Sequence, residues 1–234
     1  MHEHFHSFAM HGGTSSPSTF WSTFAGAFFG AAFAFLFGIL TQWVTKRQDR
    51  FNRHRDAIVR LETLLNEHLD QISTCRATIE DSRRVLTSRH FTSRRFASFG
   101  LEPSLTKDFG TLDFINMYFG YSRYVVRLNA DLEAFNRTID QLERVVIGGQ
   151  TLVNENFDFL VGGLADLSGA VDRLDEQVIH DLAVARVSLA KIKVLNKFWY
   201  PLLHKDWTTP ANESEIAAES ETLRAEMAAA AARR

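Results

Sequence analysis

Histidine is the side chain most ready to do chemistry near neutral pH, and three of the nine in this chain fall in its first six positions. His2, His4 and His6, with Glu3 between them, offer the donors that hold a borderline divalent ion. The tract is short and reads as a solvated tail, so no metal is assigned. His180-Asp181 and His204/Asp206 have the residue types for acid–base work. Neither pair has a third ligand or a Ser or Cys partner close by, so no catalytic residue is assigned, and the chain is read as a non-enzyme without cofactor. The run Asp108-Phe109-Gly110 spells a kinase motif without the Gly-rich loop, catalytic loop or strands that would support it. Cys75 is the single cysteine. It cannot form an intrachain disulfide, which suits a reducing cytoplasm, and its place on a core-facing helix line makes it a small packing residue.

Two stretches carry recognition chemistry instead. Arg89, Arg94 and Arg95 interleave with Phe91, Phe96 and Phe99, and Phe198 to Trp207 concentrates Trp199, Tyr200 and Trp207. Arginines and aromatics are the residue types enriched at protein-interface hot spots. The same residues also suit a loop pinned to a bundle end by its phenylalanines, and an apolar plug. A formal net charge of −2 gives no general attraction to nucleic acid. The expected partner is therefore a cytoplasmic protein, bound through Arg89, Phe91, Arg94, Arg95, Phe96, Trp199, Tyr200 and Trp207.

The elements that position these residues begin with an apolar run, Phe20 to Val44, inside a stretch free of Asp, Glu, Lys and Arg from Glu3 to Lys46. As a helix it spans about 37 Å, enough to cross a ~30 Å hydrocarbon core with some tilt. Ser22, Gly26, Gly30, Ala34 and Gly38 recur at every fourth position. They form a smooth groove that lets a second helix approach closely, so a homo-oligomer is expected. Trp21 and Trp43 mark the two interfaces, and Lys46, Arg47 and Arg50 follow on one side only. The positive-inside rule then puts the N-terminus outside and the C-terminal domain in the cytoplasm.

Beyond the anchor, heptads dominate. Phe51, Ile58, Leu65, Ile72, Ile79 and Leu86 make one seam line. Its companion line, His54, Leu61, His68, Cys75 and Ser82, is mixed. Phe114 to Val146 alternates steps of four and three and stops at Gly148-Gly149. Val153 to Ile192 carries a third seam with a stutter and an early Gly162-Gly163. The polar seam residues His54, His68, Asn66 and Asn129 are candidates for fixing register.

The domain reading is 1–19 as an extracytoplasmic tail, 20–44 as the transmembrane helix, 45–207 as a bundle, and 208–234 as an Ala/Glu-rich tail. The bundle helices are placed at about 46–88, 113–147 and 150–200. Asn212 with Glu215 resembles a capping box, but the tail's alanines predict a marginal, exposed helix. The predicted fold is all-α: one N-terminal transmembrane helix followed by an elongated cytoplasmic antiparallel bundle with coiled-coil-like heptads. An up-down-up order places the Arg89–Phe99 loop and the aromatic segment at the same, membrane-distal tip. The layout, carried by the anchor with Lys46-Arg47, by Leu61 to Glu67 and by Tyr121 to Asn129, is similar to that of bacterial membrane-anchored helical proteins. The expected function is an inner-membrane scaffold or adaptor, and the alternative is a membrane-perturbing, pore-forming effector controlled by its bundle.

Overall fold

The structure, a computed structural model, describes residues 17–195 and 212–232. Its helices are α1 (Pro17–Thr87), α2 (Leu105–Asp108), α3 (Leu112–Ile147), α4 (Asn154–Leu195) and α5 (Glu213–Ala232), with no strand among the described residues. The chain divides into two compact units, Met1–Arg47 and Gln48–Arg234, and α1 contributes to both.

In the first unit α1 is long and apolar enough to cross a membrane. Its large side chains are exposed, Phe33 at 70% and Phe37 at 72%. A Cβ placed on Gly26, Gly30 or Gly38 meets no atom within 4 Å, so this face is smooth and open. The Arg47 guanidinium lies over the Trp43 ring, 5.4 Å from its centroid, joining the last aromatic of the apolar run to the first basic cluster.

The second unit is a helical bundle, as its heptads require. Both seam lines of α1 are buried, the mixed one included: His54, Leu61, His68, Cys75 and Ser82 are all under 9% exposed. On α3 the seam from Phe114 to Ile139 is buried, and on α4 the seam from Phe157 to Ile192. Ion pairs give the directions. Arg89 meets Asp158 at 2.8 Å, Arg76 meets Asp172 at 2.7 Å, and Arg186 meets Glu62 at 3.4 Å, so α4 runs antiparallel to α1. The Gly148-Gly149 turn folds α3 back on α4, also antiparallel, with Gly163 against the Phe135 ring. A Cβ on Gly163 would lie 3.2 Å from that ring, so close approach explains the glycine, and α4 continues unbroken through it.

The up-down-up order is corrected at α3. His54 packs on Phe114 and His68 bonds Tyr121, so α3 runs in the same direction as α1. The physical reason is the connection between them. Residues 88–111 form a largely extended strap that returns along the helices before α3 starts. A strap of that length spans up to about 80 Å, more than the ~54 Å of α3, so it can restart the chain at the opposite end. The aromatic segment expected to share a tip with the Arg89–Phe99 loop lies outside the described residues. Arg186 is level with Glu62, so the described end of α4 lies at the His54 end of the bundle, remote from Arg89.

Both long-helix ends next to the strap and the hairpin close with the same cap. Arg89 N–H reaches Leu86 C=O and His90 N–H reaches Val85 C=O. Gly149 and Gln150 repeat this on Val146 and Val145. The capped position needs a left-handed backbone, which Gly149 adopts at φ 77° and Arg89 at φ 59°.

The tail is also corrected from an exposed helix to a packed one. Asn212 and Glu215 do form a capping box: Ser214 N–H donates to Asn212 Oδ1 at 3.4 Å, and Asn212 N–H to Glu215 Oε2 at 3.3 Å. α5 then lies antiparallel on α4, with Leu223 buried and Lys191 on Glu215 at 2.6 Å. A few larger residues, Ile216, Leu223 and Met227, suffice to anchor it among the alanines. Leu223→Ala should remove about 2–4 kcal/mol of local stability. Hydrogen exchange should then accelerate across 213–232 ahead of α1, α3 and α4.

Candidate functional site

The strap creates the most specific chemistry in the bundle. An extended segment has no helical partners for its own N–H and C=O groups, and a buried one must find side chains instead. Asn136 and Asn129, one heptad apart on α3, supply them in pairs. Asn136 accepts from Phe96 N–H at 2.9 Å and donates to Phe96 C=O at 2.8 Å. Asn129 does the same for Phe99, at 2.8 Å both ways. Further along, Tyr118 Oη accepts from Glu102 N–H at 2.9 Å, and His54 Nδ1 accepts from Gly110 N–H at 2.9 Å. The strap is thus read by side chains on both α1 and α3.

Its own side chains anchor it from the other direction. Phe96 stands edge-on to Phe135, Phe99 edge-on to His68, and Phe109 tilts against Phe114; Leu105 is fully buried. Arg95 is held by Asp140 and Glu143, each at 2.6 Å. Arg94 pairs with Asp81 at 2.9 Å, and Arg60 with Glu102 at 2.8 Å and with Asp108. A cavity of about 290 Å³ remains between the strap and α1, bordered by Ala97, Phe96, Thr74, Cys75 and Thr78.

Beneath the strap lies a buried polar cluster. His68 Nδ1 bonds the Tyr121 hydroxyl, and the Gly100 backbone bonds the same ring. Asp181 on α4 is 1% exposed; its Oδ1 accepts from Gln177 at 2.9 Å, and its Oδ2 has no hydrogen-bond partner among the described residues. Burial holds His54 and His68 down to about 4. It also pushes Asp181 up to about 7, against a smaller lowering by Gln177. Tyr121 is raised by burial first and then by Tyr118 and Asp181, so its hydroxyl stays protonated. Cys75 is pushed up to about 11 by burial, which keeps it a thiol rather than a nucleophile.

The sequence-selected residues divide clearly. Arg89, Arg94, Arg95, Phe91 and Phe96 come together along the strap, but their guanidinium and ring groups already have partners within the chain, as a pinned loop requires. Trp199, Tyr200, Trp207, His2, His4, His6, His204 and Asp206 lie outside the described residues. His180 is exposed while Asp181 is buried, so that pair is split between surface and core. No group of three or more His, Cys, Asp or Glu side chains able to hold a metal occurs among the described residues. Asn136, Tyr118 and Tyr121 were missed as polar partners. The available signal was the heptad spacing of Asn129 and Asn136 beside the polar line of α1. Comparison with protein-family models, with curated proteins and with solved structures gives no match.

The buried groups set the acid response of the fold. His54 and His68 titrate near 4 folded against 6.5 ordinarily, so the unfolded chain gains protons first. Their contribution is intact above 6.5 and is lost as pH falls toward 4. Asp181, near 7 against 3.8, acts in the opposite sense: its contribution is present below 3.8 and is lost as pH rises through 7. Two histidines outweigh one aspartate, so denaturant melts should show stability falling by about 2–3 kcal/mol from pH 6.5 to 4. Asp181→Asn removes the opposing group and should roughly double that fall.

Proposed function

We propose that the protein is a single-pass, self-associating adaptor of a bacterial inner membrane, with its N-terminus outside and its helical bundle presented to cytoplasmic protein partners. The observation that carries this reading is the first unit's helix, whose large apolar side chains from Trp21 to Trp43 are exposed, with a small-residue stripe from Ser22 to Gly38. An exposed apolar helix of that length is insoluble in water and stable in lipid, where a small-residue groove favours helix pairing. Its orientation rests on the basic residues Lys46, Arg47, Arg50, Arg53 and Arg55, which follow the apolar run with no counterpart before it. In this reading the bundle is a binding platform, and its polar strap contacts give it specific surfaces rather than a reaction centre.

Gly30→Ile tests the self-association directly. A Cβ at Gly30 meets no atom within 4 Å beyond its own stretch of helix, so a change in association reports on a neighbouring chain. A membrane association reporter should lose most of its signal, and full-length protein in mild detergent should shift toward the monomer mass. An unchanged signal and mass would remove the small-residue groove from the account. A chain beginning at Lys46 should be monomeric in the same mass measurement. If it is oligomeric, the heptad seams pair between chains.

A further inference from the structure

We propose that Arg50 and Arg53 of α1, with Lys107 of α2, bind the phosphate headgroups of anionic phospholipids and so tie the end of the strap to the bilayer surface. The inference rests on the membrane reading and names the lipid class that the bundle meets. Three observations carry it. The first is a basic row that the bundle leaves unanswered. Arg53 stands one heptad before Arg60 and Arg50 one turn before Arg53, so the three share one side of α1. Arg60 shows what that side meets inside the bundle: Glu102 at 2.8 Å and Asp108, both on the strap. Arg53 finds no such acid. Its Nε–H donates to the Asp49 backbone carbonyl at 3.4 Å, and the neighbouring Arg55 is spent on Asp56 at 2.9 Å. Among the described residues neither Arg50 nor Arg53 makes an ion pair, and both are exposed.

The second observation is a cation added by the fold. Asp108 on Arg60 and the Gly110 N–H on His54 Nδ1 lay α2 along α1 between those two positions. Lys107, exposed and without an ion pair among the described residues, is thereby brought to the same end from a distant part of the chain. Phosphate oxygens are the natural acceptors for three such donors. The third is the place of this end along the chain. Arg50 and Arg53 follow Val44 by six and nine residues, about 9 and 14 Å of helical rise. Long cationic side chains at that separation reach the headgroup layer, where an anionic leaflet holds its phosphates at high local density. A lipid headgroup is therefore favoured over a free phosphate.

The test reads hydrogen exchange at the Phe109 and Gly110 amides, which close the strap on Leu105 and His54. Full-length protein is compared in nanodiscs of phosphatidylcholine alone and of phosphatidylcholine mixed with phosphatidylglycerol. The anionic lipid should slow exchange at both amides by about fivefold or more, and added salt should reverse the slowing. Arg50→Gln/Arg53→Gln, and separately Lys107→Gln, should lose most of this difference between disc types. Arg83→Gln, exposed at the far end of α1, should keep it. A variant that only loosens the strap raises exchange in both disc types and leaves the difference intact.

Exchange that is the same in both disc types overturns the proposal in the unaltered protein, without recourse to any variant. A difference that survives Arg50→Gln/Arg53→Gln and Lys107→Gln overturns it too. Slowing reproduced in phosphatidylcholine discs by soluble glycerol phosphate assigns the cations to a free phosphate and overturns the lipid assignment. Protein that enters discs of both kinds but ignores phosphatidylglycerol sinks only this inference, whereas protein that enters neither sinks the membrane reading beneath it.

Discussion

A buried extended backbone must be hydrogen-bonded by something, and in this bundle that constraint organises everything else. The strap from residue 88 to 111 lies against helices whose own backbone groups are already satisfied, so it depends on side chains. His54, Tyr118, Asn129 and Asn136 answer that need. This is why the companion seam line of α1 contains two histidines where a simple helix pair would place leucines. Those polar positions face strap backbone and the Tyr121 hydroxyl rather than another apolar stripe.

The strap also decides the path of the chain. By returning along the helices before α3 begins, it lets α1 and α3 run in the same direction while α4 opposes both. The charged residues follow that arrangement. Arg76 joins α1 to Asp172 and Asp175 of α4, and Arg186 ties α4 to Glu62 of α1 and Glu219 of α5. These pairs are partly exposed, and each adds little stability by itself. They discriminate between registers, because a one-turn slip would set several of them against the wrong partner. Stability comes from the continuous apolar core, in which Ile58, Leu65, Ile72, Val125, Leu128, Leu164, Val171 and Leu182 are essentially inaccessible to water.

Heptads made the helices of the bundle legible, because apolar spacing of three and four reports local geometry directly. The seams on α1, α3 and α4 are buried along the predicted lines except beside the hairpin, where Val146 and Val153 are exposed, and the capping box at Asn212 forms as its spacing implied. The site was only half legible. Asn129, His54 and His68 stood out as polar residues on apolar seams. Their partners did not, because those partners are backbone groups of a segment with no periodicity of its own. The tail was misjudged for a related reason: three larger residues among alanines look insufficient until an uncovered face of α4 is there to receive them.

The sequence by itself determined the apolar helix, the heptad helices and their stops, since these depend on residues close together in the chain. Only the tertiary structure decided the direction of α3, the packing of α5, and the pairing of Phe96 and Phe99 with asparagines 30 to 40 residues away. A two-glycine turn compels its flanking helices to oppose each other. A 24-residue connection compels nothing, because it is long enough to begin the next helix at either end. Where it goes is fixed only by which buried groups can satisfy its backbone, and that depends on three helices at once.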